Sequence, residues 1–395
     1  MRYDWLDYLR GIAALWMIEV HVVDVALHPR WHSAWWFPWL GLTHGFVAVA
    51  FLFCAGGAFA ITLERKHAAY RRWERPLWNY LAKLGLLLVL GYWLHLPGFS
   101  LERTVHATQE ELRRLADCDI LQCIAASSLL ALTIGIATER ARLYRSIYAV
   151  LTVAIASLTP WVWEQRLDET LPLFLGAYIA PQPLSKFPLF PFAAYFFSGA
   201  VAVPLIRSWS QRAVWWLLIW SVVAAAGLLA VGFSSPKQWW HTSPEHVSFR
   251  LAGTVALLAV LILGAEHIDR WHMSSVLRLA GQQSLWIYVF HLLIVYGSVG
   301  GRGLSSIVGG TLDPAACTLL IGAVGLVTLA SAWGWAQLKL AMPSIVRVVV
   351  GAVVAIGTLI FLFLPARYAA LLSAEGGSAQ LGGVAPVAAR SDLLR

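Results

Sequence analysis

Residues 41–63 read GLTHGFVAVAFLFCAGGAFAITL, without an Asp, Glu, Lys or Arg, and residues 64–75 read ERKHAAYRRWER, in which basic residues crowd. About 20 consecutive apolar residues suffice for a helix to cross the hydrocarbon core of a bilayer. A basic loop beside such a run marks the cytoplasmic side. The pair therefore predicts a transmembrane helix followed by an inner loop. Outward from it, further apolar runs lie near residues 6–27, 77–95, 119–137, 144–163, 188–206, 213–232, 249–265, 279–299, 315–338 and 344–364. The expected fold is all-α, a polytopic integral membrane protein with about ten to eleven transmembrane helices. One transmembrane domain is expected over residues 1–365, and the Gly/Ala/Ser-rich residues 366–395 read as a flexible C-terminal tail.

Composition agrees with this reading. Of 395 residues, 59% are apolar or aromatic and only 13% charged, against about 25% charged in soluble domains, which excludes a water-soluble enzyme. The net charge of +8 does not point to nucleic acid, because the basic residues sit in short loops between apolar runs. With residues 64–75 inside, Arg140, Arg142, Arg145, Arg207, Arg212, Arg270 and Arg278 fall inside too, as does the N-terminus. A bacterial cytoplasmic membrane is the expected location. The first run carries Asp7, Arg10, Glu19, His21 and Asp24 and lacks a small-residue cleavage site, so it reads as a retained span. Residues 171–191 hold five prolines among Leu and Phe and read as a short re-entrant or interfacial segment. Loops 96–118 and 233–248 on the outer side are longer and carry both charge signs, which suggests a site opening there. Cys54, Cys118, Cys123 and Cys317 form no metal-ligand spacing and read as buried small hydrophobes.

Ionisable residues inside a span face a polar interior, so the helical phase of the first run matters. Arg10 and His21 are eleven residues apart, hence on nearly one face and about 16 Å apart along the axis. Asp7 and Asp24 extend that stripe by three residues at either end, and Glu19 points away from it. An Arg toward the cytoplasm suits a phosphate-bearing donor. An outer His suits removal of a proton from an acceptor hydroxyl or amine, with Asp24 orienting the imidazole. The plainer alternative is a snorkelling Arg10–Asp7 pair and an interhelical hydrogen bond from His21.

The stretch Leu6-Asp7-Tyr8-Leu9-Arg10-Gly11-Ile12-Ala13-Ala14, with His21 beyond it, resembles the opening helix of the membrane acyltransferase-3 superfamily. Phe51-Leu52-Phe53-Cys54-Ala55-Gly56-Gly57 is similar to that superfamily's F-x-x-S-G-F pattern, with Ala55 in place of Ser. Residues 119–124 and 187–192 resemble segments of a branch related to the heparan-alpha-glucosaminide N-acetyltransferase catalytic domain. Residues 281–291, GQQSLWIYVFH, are similar to a helix shared across these branches. The resemblance covers about residues 3 to 300 and implies an acyl-CoA-dependent O- or N-acyltransferase. Such an enzyme moves an acyl group, typically acetyl, from cytoplasmic acetyl-CoA or another acyl-CoA to an extracytoplasmic carbohydrate or amino-sugar acceptor. The implied partners are acyl-CoA, that sugar or glycan, and membrane lipids, with a homodimer left open and no metal expected. Arg10 and His21 match the paired Arg and His of the acyltransferase-3 branch. The heparan-type branch has Asn where His21 stands and uses a His in the first outer loop. The residues ranked for catalysis are therefore His21, then His32, then His44, with Arg10 and Asp24 in support.

Ser284, Tyr288 and His291 share one face of the ninth span and are candidates to line the acceptor side, or else are interhelical contacts. Asp119 and Gln122 lie one turn apart at the outer end of the fourth span, where a sugar can be hydrogen-bonded, with a helix N-cap as the alternative for Asp119. Lys83, in the third span, is assigned with Arg10 to the donor phosphates, or snorkels. The many Trp form aromatic belts for the most part, although Trp239 and Trp240 remain a candidate sugar platform. No phosphate-binding, dinucleotide or zincin motif is present. The rival functions are a secondary transporter or lipid-linked sugar flippase using the same polar stripe, and a non-catalytic scaffold.

Overall fold

The computed structural model describes residues 3–365 except 168, 182–183, 237–238, 271–272 and 299–300. The expected tail, 366–395, lies outside the described residues. The chain is helical almost throughout. The helices are α1 (Asp4–Ala26), α2 (Phe37–Arg71), α3 (Arg75–Trp93), α4 (Leu101–Val105), α5 (Gln109–Ala116), α6 (Ile120–Ala137) and α7 (Ala141–Glu164). There follow α8 (Leu173–Gly176), α9 (Leu189–Ile206), α10 (Gln211–Phe233), α11 (Trp239–Thr242), α12 (Pro244–Leu263) and α13 (Ala265–Asp269). The last are α14 (Met273–Gln282), α15 (Ser284–Tyr296), α16 (Leu304–Val308), α17 (Pro314–Ala341) and α18 (Pro343–Phe363). Two-residue strands, β1 (Gly297–Ser298) and β2 (Gly301–Arg302), form one antiparallel turn.

Among the described residues, eight helices are long and apolar enough to cross a membrane: α2, α6, α7, α9, α10, α12, α17 and α18. The pair α14–α15 makes a ninth if counted as one span, but it is bent by 84° at Gln283 and is not the straight helix expected over 279–299. The expected spans at 6–27 and 77–95 are the helices α1 and α3, which do not reach the same apolarity. On α18, Val353, Val354 and Leu359 are more than half exposed, and α10 is similarly bare. Helices apolar all round belong in lipid, so the protein is integral to a membrane.

Two crossings of small residues hold the inner bundle. A Cβ on Gly56 of α2 would stand 1.8 Å from the Phe196 carbonyl of α9, and one on Gly199 would stand 2.0 Å from the Phe53 carbonyl. The same reciprocity joins α1 to α14, where a Cβ on Gly11 would lie 2.2 Å from the Leu277 carbonyl and one on Gly281 would lie 2.0 Å from that of Asp7. Backbones come this close only where side chains are absent, and dispersion then does what the hydrophobic effect cannot do between helices in lipid. Around these crossings Leu9, Leu52, Phe53, Phe196 and Phe197 are fully buried.

The two ends of the bundle are tied differently. At one end Glu64 accepts from Arg145 at 2.5 Å and Arg207 at 2.7 Å, joining α2 to α7 and to the end of α9, and His67 bonds the Gly135 and Thr138 carbonyls at the end of α6. At the other, α1 stops where Leu27 bridges Leu312, with Gly310 and Leu312 donating to the Val25 and Ala26 carbonyls. Gly297, at φ 83, turns the chain sharply after Tyr296 and so ends α15 beside that bridge. Loop 96–118 folds into α4 and α5, the latter opened by a Thr108–Glu111 capping box. The proline-rich stretch 171–191 folds back on this loop. Phe187 N–H donates to the Cys118 carbonyl at 2.9 Å, and Ala116, Ala177, Ala180 and Leu184 pack together.

Candidate active site

The fold places His21, about three-quarters along α1, against α15. The His21 ring lies 5.2 Å from that of His291 and 5.6 Å from that of Tyr296, and its Nδ1 shares a 3.0 Å hydrogen bond with the Tyr296 hydroxyl. His291 is fully buried. Its Nδ1–H donates to the Ile287 carbonyl, one turn back, at 2.7 Å. That bond fixes the tautomer and leaves a lone pair on Nε2, which is buried without a partner among the described residues. One turn before His291, Tyr288 donates to Asp119 Oδ2 at 2.5 Å, while Asp119 Oδ1 accepts from the Ile120 amide and caps α6. Asp119 is thus the helix N-cap that the sequence offered as an alternative, and its second oxygen is taken by Tyr288 of the histidine helix.

The proline-rich fold-back adds a cation. Lys186 N–H donates to Asp117 at 2.9 Å and its Nζ stands 3.7 Å from the same carboxylate, within electrostatic reach of His21. Burial raises the Asp117 carboxyl above its ordinary range, an effect that Lys186 opposes and Asp119 reinforces. Burial pushes the neighbouring Cys118 thiol well up, which disfavours the thiolate. Gln122 is fully buried over Gly91, its Nε2 donating to the Asp117 carbonyl at 3.4 Å and its Oε1 unpartnered among the described residues.

The other expected residues are dispersed around this cluster. Asp24 lies within electrostatic reach of Tyr296, and the hydrogen-bond partner of the His21 Nδ1 is Tyr296. His32 is in the turn Pro29–Ser33 of the loop after α1, its ring stacked on Phe37 at 4.5 Å. His44 pairs with Glu19 at 2.9 Å, which gives Glu19 its separate role of joining α1 to α2. Ser284 opens α15 just past the bend, two helical turns, or about 10 Å, from His291. Arg10 pairs with Asp7 near the Gly11–Gly281 crossing, and its Nε is buried without a partner among the described residues. Lys83 is exposed on α3.

The sequence reading missed Tyr296, Lys186, Asp117 and the Glu19–His44 pair. Tyr296 alone carried a signal, since 288, 292 and 296 repeat every four residues along one side of a helix. Lys186 reaches the site only through the fold of a loop. Among the described residues no group of three His, Cys, Asp or Glu side chains is placed to hold a metal ion. What the cluster offers is proton transfer: two imidazoles, one with an unpartnered lone pair, two phenols, carboxylates and an ammonium, enclosed by apolar helices.

A bundle of apolar helices enclosing such a cluster defines an integral membrane protein equipped for acid–base chemistry. The chain belongs to the family of the heparan-alpha-glucosaminide N-acetyltransferase catalytic domain, whose family model matches residues 2–235, more than half of its length. It is accordingly an acetyltransferase of the membrane. Of the two families that the sequence resembles, this is the heparan-type one. The matched residues include His21, Asp119 and Lys186 and end before α15 with Tyr288, His291 and Tyr296. No curated protein matches the chain.

Proposed function

We propose that this protein transfers an acetyl or similar acyl group from cytoplasmic acyl-CoA to the amine or hydroxyl of a sugar or glycan on the opposite face of the membrane. The observation that carries the reading is the meeting of His21 with His291 and Tyr296 inside the bundle, in a chain whose family is an acetyltransferase family. His21 is assigned the central role. Tyr296 holds its Nδ1, and its ring is left to remove the proton of the attacking amine or hydroxyl, or to carry the acyl group between donor and acceptor. In the direct route the acceptor atom bonds to the thioester carbonyl carbon, its proton passes to imidazole, the carbon–sulfur bond breaks, and the imidazolium returns that proton to the leaving sulfur, so that CoA departs as the thiol.

Arg10, on the same helix toward the Glu64 end, is assigned to the donor phosphates, with its buried Nε as a free donor and Lys83 as a second cation. Asp119, Gln122, Ser284, Tyr288 and His291 are assigned to the acceptor side, and Asp24 supports Tyr296. His32 and His44 follow His21 as alternative catalytic groups, and the N-terminus is assigned to the cytoplasm, a side that the basic loops support. The wider kinship with the acyltransferase-3 superfamily belongs to the same proposal. The test is acetyl transfer by the purified full chain in detergent, with no ion gradient, from acetyl-CoA to glucosamine. Transfer under these conditions is expected. Substrate movement across vesicles without consumption of acyl-CoA would instead establish a transporter.

A further inference from the structure

Arg250, two turns into α12, is only 4% exposed, and among the described residues no carboxylate pairs with it. Its Nε–H donates to His246 Nε2 at 3.1 Å, and its Nη1 donates to the Leu42 carbonyl. The guanidinium lies 4.7 Å from the Phe46 ring centre and 5.5 Å from that of Phe249. These partners are all neutral, since an imidazole nitrogen that accepts a hydrogen bond carries no proton. Room for the group is built into α2, because a Cβ on Gly45 would stand 2.4 Å from the guanidinium carbon.

A second donor adjoins it. The Trp239 ring lies 5.5 Å from that of His246, and its indole N–H is buried with no partner among the described residues. Trp239 and Trp240 are each 7% exposed and pack with Phe249 and Phe46. The cluster thus holds a full positive charge and an unpartnered N–H, and offers neither an acceptor of opposite charge. A cation taken out of water without a counter-charge is costly, and cations within membranes are generally kept where a partner or pathway uses them. A bidentate guanidinium is suited to carboxylate and phosphate.

The cluster lies at the His21 end of the bundle. Leu42 and Gly45 flank His44, which pairs with Glu19 one turn or less from His21 on α1. Val247, one turn before Arg250, packs in the same apolar cluster as Tyr288 and Leu292. We propose that Arg250 and the Trp239 indole N–H form an anion subsite that takes a carboxylate or phosphate ester carried by the acceptor. Calling the ligand the acceptor rests on the acetyltransferase reading; that the subsite takes an anion does not.

The test is isothermal titration calorimetry on the full-length protein in a neutral detergent, with no acetyl donor present, so that failure of acetyl transfer leaves it intact. The probes are glucuronate against glucose, glucosamine 6-phosphate against glucosamine, and short-chain phosphatidylglycerol for a lipid headgroup. At least one anionic sugar is expected to bind at least tenfold more tightly than its neutral counterpart. Arg250→Gln is expected to weaken that binding tenfold or more, Arg250→Lys less, and neither to change the neutral sugar. Trp239→Phe, which keeps a ring and removes the N–H, is expected to weaken the anion several-fold and carries the test should Arg250→Gln fail to elute as a single species. Binding of phosphatidylglycerol alone would overturn the assignment to the acceptor. Equal response to anionic and neutral probes, including none to either, or wild-type anion binding by the Arg250→Gln and Trp239→Phe proteins, would overturn the subsite itself.

Discussion

Gly281→Ala is the substitution that most directly probes how the fold places the site. The added Cβ would lie 2.0 Å from the Asp7 carbonyl oxygen, whereas ordinary contact begins at 3.4 Å. The atom it meets is backbone, so α14 and α1 must separate by about 1.4 Å or the helices must bend. Since α15 follows α14 after a single residue, the shift is passed to His291 and Tyr296, and so to the contacts of His21. A displacement of about 1 Å at reacting groups costs about 100-fold in rate, and overpacking of this kind costs about 1–3 kcal/mol in stability. The intrinsic helix preference of Ala over Gly acts the other way by about 1 kcal/mol, which makes Gly85→Ala the control. Gly85 lies in a helix with nothing within 4 Å of its Cβ position. Thermal unfolding and acetyl transfer in one detergent should show Gly281→Ala destabilised and nearly inactive and Gly85→Ala unchanged or slightly stabilised. Because Gly11 and Gly281 serve one crossing, the double Ala variant should lose less than the sum of the singles. Wild-type stability and rate in Gly281→Ala would refute the idea that this crossing sets the geometry.

Three further outcomes follow from contacts described above. Tyr288→Phe deletes the hydrogen bond to Asp119 and should raise the KM for the acceptor about 10-fold or more with little change in thiol release at saturating acceptor, as expected for a buried bond to a charged group worth about 1.5–3 kcal/mol; a loss of the saturated rate with KM unchanged would place Tyr288 elsewhere. Glu64→Gln leaves Arg145 and Arg207 without their shared carboxylate and should lower stability by about 1.5–3 kcal/mol, read by thermal unfolding, with the Arg145→Met/Glu64→Gln pair partly restoring it. At Glu111 burial alone would raise the carboxyl, but hydrogen bonds from the Thr108 backbone and Arg103 outweigh it and hold it below its ordinary 4.5. Its contribution is therefore complete above about pH 4.5 and lost as pH falls through the lowered folded value, so Glu111→Gln should flatten the acid limb of the stability profile and leave its alkaline limb alone.

The helical class and most of the spans were legible because lipid solvates apolar side chains and cannot solvate a bare backbone, so hydropathy alone writes the answer. The inward facing of His21 was legible for the same reason, since an ionisable side chain on an apolar helix is kept from lipid. The bend at Gln283 was not, since residues 273–296 contain no proline and the break comes from packing α14 on α1. Tyr296 was within reach of helical spacing, whereas Lys186 and Asp117 meet only because residues 171–191 fold back upon loop 96–118. Glu19 gained its partner once α2 was laid against α1. Arg250 gave no sign, because a guanidinium held by a carbonyl, an imidazole and two phenyl faces leaves no pattern of opposite charge in the sequence.

The most direct test of the account is release of the CoA thiol from acetyl-CoA, with glucosamine as acceptor, by the wild type and by His21→Ala, His291→Ala and His32→Ala, each shown to elute as a single species. The account predicts at least a 100-fold loss in His21→Ala, a marked loss of transfer in His291→Ala and near wild-type rates in His32→Ala. Full activity in His21→Ala with loss only in His32→Ala would move the chemistry to the loop after α1 and contradict the site described here.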